Sequence, residues 1–223
     1  MKNAAIQTSV VILLLFIGIA VVPRGESQAA PRASGWVNIM PNSAMNHWGR
    51  VAIPPNRPLP QHSQWSVDAA THTLICAGDG GHEWLRYGRE LGDFLFHVEW
   101  RLTPHKGAKG YNSGVFVRNN HNGLIWYQAQ VGSAGGGYWF GDNPAGKELK
   151  RFNLHSQMTA NTVKPAGEWN TFDIRCQGSK LILEVNGTTT SEFDHCKNLR
   201  GYLGLEAEGS RIEFRNMRIK LLK

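Results

Sequence analysis

The stretch Asp93-Phe94-Leu95-Phe96-His97-Val98-Glu99-Trp100-Arg101-Leu102 most constrains what this chain can fold into. Phe94, Phe96, Val98, Trp100 and Leu102 recur at every second position. Leu95, His97, Glu99 and Arg101 fill the alternate places. A helix would scatter the five large apolar side chains around its circumference, whereas a strand lines them up on one face. The run therefore predicts a strand over 94–102 with a core face. Its opposite face carries a carboxylate and a guanidinium side by side.

Similar short signals recur between Gly, Asn and Pro punctuation. Trp65–Asp68 and Thr73–Cys76 read as a pair, and Glu83–Tyr87 turns at Gly88 into the long strand. A loop from Pro104 to Tyr111 leads to a strand over 114–119. Asn120-His121-Asn122-Gly123 then makes a hairpin turn into a strand over 124–131. Strands are expected again over 168–176, 180–187, 201–206 and 211–222. In the last, Ile212, Phe214, Asn216, Arg218 and Lys220 alternate with Glu213, Arg215, Met217, Ile219 and Leu221. Residues 132–168 break the pattern, starting at Gly132-Ser133-Ala134-Gly135-Gly136-Gly137, and read as a long irregular segment of the kind that often carries function. No long helical pattern and no internal repeat is present. The reading is an all-β domain over 65–223, an antiparallel sandwich or jelly roll, behind a loop-rich lead-in at 30–64.

The first 29 residues read as a secretory signal peptide: Lys2, an apolar run from Val10 to Val22, and a small-residue cleavage region at Ser27-Gln28-Ala29-Ala30. The alternative is an uncleaved anchor. The run is short for a membrane span, and no second one follows, so the mature chain is expected without a membrane span, secreted or periplasmic. The formal net charge is +7, but Lys and Arg are scattered without a nucleic-acid-binding motif, so no nucleic acid is expected. Cys76, Cys176 and Cys196 allow three pairings, or none, and sequence does not choose. None sits in a nucleophile motif. No sequence signal bears on oligomeric state.

Several short pieces occur in an order that resembles the 3-keto-disaccharide hydrolase domain family. They are Gly92-Asp93-Phe94, Glu99-Trp100-Arg101, Asn112-Ser113-Gly114-Val115-Phe116-Val117-Arg118, Tyr127-Gln128-Ala129-Gln130, Lys164-Pro165-Ala166-Gly167-Glu168-Trp169-Asn170, Val185-Asn186-Gly187 and Ile212–Ile219. Together they span roughly residues 35–222. The resemblance implies a concanavalin A-like jelly roll of two antiparallel sheets, with a sugar site on the concave one. It also implies cleavage of glycosides already oxidised to a ketone at C3: the ketone acidifies the C2–H, a base removes that proton, the C1 substituent is eliminated and water adds back. One departure stands out. The family usually has Tyr-Glu-Val-Gln where this chain has Tyr127-Gln128-Ala129-Gln130, and an amide at Gln128 cannot serve as a general base. Glu206, in Leu205-Glu206-Ala207-Glu208, is a carboxylate that could compensate.

The candidate site follows from these readings. Glu99, or Glu206 in the same role, would be the base. Arg101 and Arg118 would meet it and stabilise an enolate, while the competing reading is a structural ion-pair network. Gln128 and Gln130 share a strand face and suit sugar hydroxyls. Tyr138 and Trp139 could stack on a pyranose or plug the core edge. His82, His97, His121 and His155 show no metal-binding spacing. His97 shares the face of Glu99, and that pair beside Asp142 or Asn143 could host a divalent cation that polarises the ketone. No other cofactor is expected. Asn186-Gly187-Thr188 is either a glycosylation sequon or a plain hairpin turn. The expected partner is a carbohydrate, the expected activity glycoside-cleaving hydrolysis. The rival readings are a non-catalytic lectin-like module on the same fold and a structural envelope domain.

Overall fold

Fifteen strands run through the described residues, which in this computed structural model are 35–107, 110–133 and 135–223. The expected leader at 1–29 lies outside them. In chain order the strands are β1 (Val37–Asn38), β2 (Trp48–Ala52), β3 (Trp65–Asp68), β4 (Thr73–Cys76) and β5 (Glu83–Leu91). Then come β6 (Phe94–Leu102), β7 (Ser113–Asn119), β8 (Trp126–Val131), β9 (Trp139–Ala145) and β10 (Glu148–Asn153). The last five are β11 (Asn170–Gln177), β12 (Lys180–Val185), β13 (Thr188–Phe193), β14 (Gly201–Ala207) and β15 (Ile212–Leu221). A single 3₁₀ turn covers His155–Gln157. No described helix is long and apolar enough to cross a membrane.

The strands form two antiparallel sheets. One runs β13-β12-β11-β6-β15-β4-β3, with β1 also paired to β15; the other runs β10-β9-β8-β7-β14-β5-β2. This is the expected all-β jelly-roll sandwich. The long strand β6 lies in the middle of the first sheet, between β11 and β15. Its alternation is obeyed throughout: Phe94, Phe96, Val98, Trp100 and Leu102 are at most 1 % exposed. They meet the inward residues of the second sheet, among them Val115, Val117, Tyr127, Ala129, Trp139, Leu203 and Leu205, in one core. Each such large apolar side chain contributes roughly 1.5–3 kcal/mol by leaving water. All three cysteines are buried and free. The Asn186-Gly187 sequence makes the hairpin turn between β12 and β13, with Asn186 at φ +52°.

Three expectations need correction. The lead-in is not loop alone: β1 adds to the first sheet at Val37↔Ile219, and β2 forms an edge of the second against β5. The irregular segment 132–168 contains the hairpin β9–β10. The alternation of the last strand holds only to Arg215. A bulge between Arg215 and Arg218, with Asn216 at φ +53°, shifts the phase, so Met217 and Ile219 face the core in place of Asn216 and Arg218.

Candidate functional site

A hollow of about 360 Å³ opens on the face of the second sheet turned away from the core. That is within the roughly 300–1,000 Å³ usual for small-molecule sites. Its apolar wall is a row of rings crossing several strands. Phe140 on β9 meets Trp126 on β8 at 4.9 Å, Trp126 meets Phe116 on β7 at 6.1 Å, and Phe116 meets Trp84 on β5 at 5.7 Å. All three contacts are edge-to-face. Strand β14 runs between β7 and β5, and the row crosses it because Gly204 has no side chain. A Cβ there would lie 2.2 Å from the Trp84 ring. Arg151, from β10, spreads over Trp126 and Phe140 and is held by both oxygens of Asp142.

The polar side of the hollow is a nearly closed ring of carboxylates, amides and one imidazole. Glu206 near the end of β14 and Glu208 just beyond it both line the hollow. His82 Nε2 lies 2.9 Å from Glu206 Oε1 and 3.9 Å from Glu208 Oε2. Gln128 Nε2 donates to Glu206 Oε2 at 2.8 Å and to Gln130 Oε1 at 2.9 Å. Gln130 Nε2 donates to Asn112 Oδ1 at 2.7 Å, and Asn112 Nδ2 donates to Glu208 Oε2 at 2.6 Å. The amide donors thus end on the two carboxylates. Gln128 can lie flat in this ring because Gly114 sits beneath it; a Cβ there would be 2.4 Å from Gln128 Nε2.

The electrostatics suit proton transfer. Glu206 is 3 % exposed, and burial pushes its carboxyl above the ordinary carboxylate range, against the opposing pull of His82. Burial pushes the His82 imidazole down, but the hydrogen bond and charge of Glu206 and the charge of Glu208 outweigh it and raise His82 overall. A carboxyl and an imidazole that both hold protons more tightly than usual, within hydrogen-bonding distance, form a pair able to exchange protons with a ligand.

The family model of the 3-keto-α-glucoside-1,2-lyase-like domain matches residues 33–220. The chain belongs to that family. No curated protein matches it. Among solved structures, this lyase-like domain is similar to a Parabacteroides distasonis protein provisionally named a glycosyl hydrolase, at 14 % identity and TM-score 0.61, over 86 % of this chain and 96 % of that one. It is similar to the carbohydrate-binding module CBM66 of Bacillus subtilis at 11 % identity and TM-score 0.57, over 78 % and 95 % of the two chains. It is also similar to LamAcat of Zobellia galactanivorans at 13 % identity and TM-score 0.52, over 78 % and 90 %. At these identities the likeness shows the fold, a frame carried by carbohydrate-active hydrolases and carbohydrate-binding modules.

The structure brings Glu206, Gln128 and Gln130 of the lyase-like domain together in the hollow and leaves the other expected site residues out of it. His97, Glu99 and Arg101 lie on β6, in the other sheet, facing outward. Glu99 accepts from Arg215 Nε at 2.7 Å and Asn216 Nδ2 at 2.9 Å. Burial pushes its carboxyl up, but those two partners prevail and hold it below the ordinary range, which disfavours a base. Arg101 is tied to Glu213 and rests on the Trp169 ring at 4.6 Å. His97 Nδ1 is held by Asp173 at 2.7 Å. The expected pairing of His97 and Glu99 with Asp142 or Asn143 fails, because Asp142 and Asn143 are on β9 of the second sheet.

Arg118 does not meet Glu99 either. Alternation from Phe116 would point it into the hollow, but an extra residue in β7 opposite Leu203 makes a bulge, with Arg118 at φ +51°. Its fully buried guanidinium instead binds Asp93 at 2.8 Å, Gly178 O at 2.5 Å and Gly92 O at 3.1 Å. Trp139 is a core residue at 0 % exposure. Tyr138, just before β9, packs on the His155 ring at 4.9 Å and does not line the hollow. Sequence reasoning left His82 unplaced and missed Asn112, Glu208 and the ring row. The one available signal was Glu206-Ala207-Glu208, two carboxylates at alternate positions at the end of a strand.

Proposed function

We propose that this chain cleaves 3-keto-glycosides in the hollow of the second sheet. The observation that carries the reading is the Glu206–His82 pair, set at 2.9 Å beside a row of four aromatic rings. Trp126 and Phe140, the two half-buried rings of the row, offer apolar surface to the C–H face of a pyranose. Gln128, Gln130 and Asn112 offer amide groups to sugar hydroxyls. With a ketone at C3, Glu206 takes the C2 proton and the electron pair forms the C2–C3 enolate; return of that pair restores the C3 ketone, makes the C1–C2 double bond and breaks the C1–O bond. His82 passes a proton to the departing oxygen. Water then adds across the double bond, which returns the C2 proton and completes net hydrolysis. Glu206 supplies the carboxylate that the amide of Gln128 lacks. Family membership supports the substrate class, and the leader read in the sequence at 1–29 supports a reaction outside the cytoplasm.

The test is direct. Purified protein is incubated with a 3-keto-disaccharide, and the released 3-keto-sugar and free monosaccharide are followed by NMR. Appearance of both, abolished in Glu206→Gln, is the expected result. Absence of product from a protein that still binds the keto-sugar would reject cleavage and leave the lectin-like reading, which the amide at Gln128 favours.

A further inference from the structure

We infer that His82, Glu206 and Glu208 form a binding site for one divalent transition-metal cation on the floor of the hollow. One ligand atom from each of the three residues lies within 4.8 Å of the other two. A cation with bonds of about 2.1 Å separates neighbouring ligands by about 3.0–3.4 Å. The observed spacings from His82 Nε2, 2.9 Å to Glu206 and 3.9 Å to Glu208, bracket that range. The side chain that closes the gap is Glu208, which is 40 % exposed.

Two independent features point to a cation rather than to a fortuitous cluster. The first is charge. Among the described residues neither Glu206 nor Glu208 is ion-paired to Lys or Arg; the His82 imidazole is the group set against both. Two carboxylates, one of them 3 % exposed, are left with a single imidazole between them, and a buried charge without full compensation costs several kcal/mol. The second is the shell around the cluster. Gln128 Nε2 fixes Glu206 at 2.8 Å and Asn112 Nδ2 fixes Glu208 at 2.6 Å, and these two amides are themselves linked through Gln130. Outer hydrogen bonds that orient carboxylate ligands are a regular feature of metal sites.

The donor set decides the class of ion. An imidazole nitrogen with two carboxylates suits Zn²⁺, Co²⁺ or Mn²⁺, whereas Ca²⁺ and Mg²⁺ favour all-oxygen shells. Three protein ligands at the edge of an open hollow leave positions for water or substrate. An ion there supplies the positive charge that neither Arg101 nor Arg118 delivers, and it can polarise a carbonyl or acidify a water. The inference concerns the same hollow as the proposed function but does not need the keto-sugar: with an ion bound, His82 Nε2 and Glu206 would be ligands, and the ion's Lewis acidity would replace the direct proton transfers assigned to them in its absence.

The experiment titrates chelator-treated full-length protein with Zn²⁺, Co²⁺, Mn²⁺ and Ca²⁺ in turn, without sugar, by calorimetry, and counts bound metal after dialysis. One equivalent of a transition metal is expected, with Ca²⁺ weaker. Glu208→Gln and His82→Ala should each weaken binding by more than the roughly 10–100-fold that loss of an outer partner costs, and Asn112→Ala by about that amount. Glu208 and Asn112 are not in the core, so the folded state of those variants is checked by unchanged thermal midpoints without metal. Wild-type protein that binds no transition metal, or folded variants that bind it as tightly, would overturn the site. A protein that binds the cation but cleaves no keto-sugar refutes the proposed activity alone; one that cleaves it and binds no cation refutes this inference alone.

Discussion

Replacing Arg118 by Met should destabilise the domain without touching the sugar site. The guanidinium is fully buried and donates to the carbonyls of Gly92 and Gly178 and to Asp93. Met fills much of the same volume but donates nothing. The two carbonyls lose a charged donor, at about 1–3 kcal/mol each. Asp93 is 35 % exposed and keeps the backbone N–H of Gly178 at 3.1 Å, so water covers part of its loss. The sum is about 3–5 kcal/mol, as for the breaking of a buried pair. In a domain of this size that is a fall of roughly 6–20 °C in thermal midpoint. Urea unfolding gives the value directly if the m-value is unchanged. Binding of a 3-keto-disaccharide, measured on folded protein well below the midpoint, should be the same as wild type. A loss under about 1 kcal/mol, or weaker sugar binding at undiminished stability, would refute the assignment of Arg118 to the scaffold.

Three other outcomes are expected. Glu206→Gln should lower turnover by about 10²–10⁴-fold and also change the pH dependence of stability. The folded proton affinities of Glu206 and His82 are raised from ordinary values of 4.5 and 6.5, so their contribution is complete below those values and lost as pH rises through the folded ones. The wild-type urea midpoint should therefore drop more between about pH 5 and about pH 8 than that of Glu206→Gln; parallel curves would contradict it. Glu99→Gln should leave turnover within about twofold of wild type and cost at most about 1 kcal/mol of stability, measured by initial rates and urea unfolding. Trp126→Ala, which removes one ring from the hollow, should weaken keto-sugar binding by about 1 kcal/mol, roughly fivefold by calorimetry.

The fold was largely legible because alternation is a property of the backbone. Strands β3, β4 and β6 begin and end where the sequence places them, since each lies against two neighbours or a tight turn and buries one face. The hairpin β9–β10 escaped for the opposite reason. Its first strand contains Gly141 and Pro144, and its second, Glu148–Asn153, is exposed at every position but Phe152. No apolar face exists there to generate a period. The two-residue strand β1 is below the length at which any period can be read.

The site was only half legible because alternation tells inward from outward but not which outer face. A sandwich has two. His97, Glu99 and Arg101 point outward from β6, and Gln128, Gln130 and Glu206 point outward from β8 and β14, so all six read alike in sequence. What separates them is strand pairing: β6 lies between β11 and β15, while β8 and β14 flank β7. Pairings between strands far apart in sequence leave no local signal. Single-residue bulges add a second source of error, since each reverses the inward–outward sense beyond it. At Arg118 one extra residue moves a cation from the hollow into the scaffold; at Asn216 another puts Met217 in the core. The glycines carry the complementary information. Gly114 and Gly204 sit inside well-formed strands, where glycine costs stability, and both lie beneath hollow-lining side chains, Gln128 and Trp84, that a Cβ would displace. In β7 and β14 these two glycines therefore mark the outer face that the hollow occupies, where the charges themselves do not.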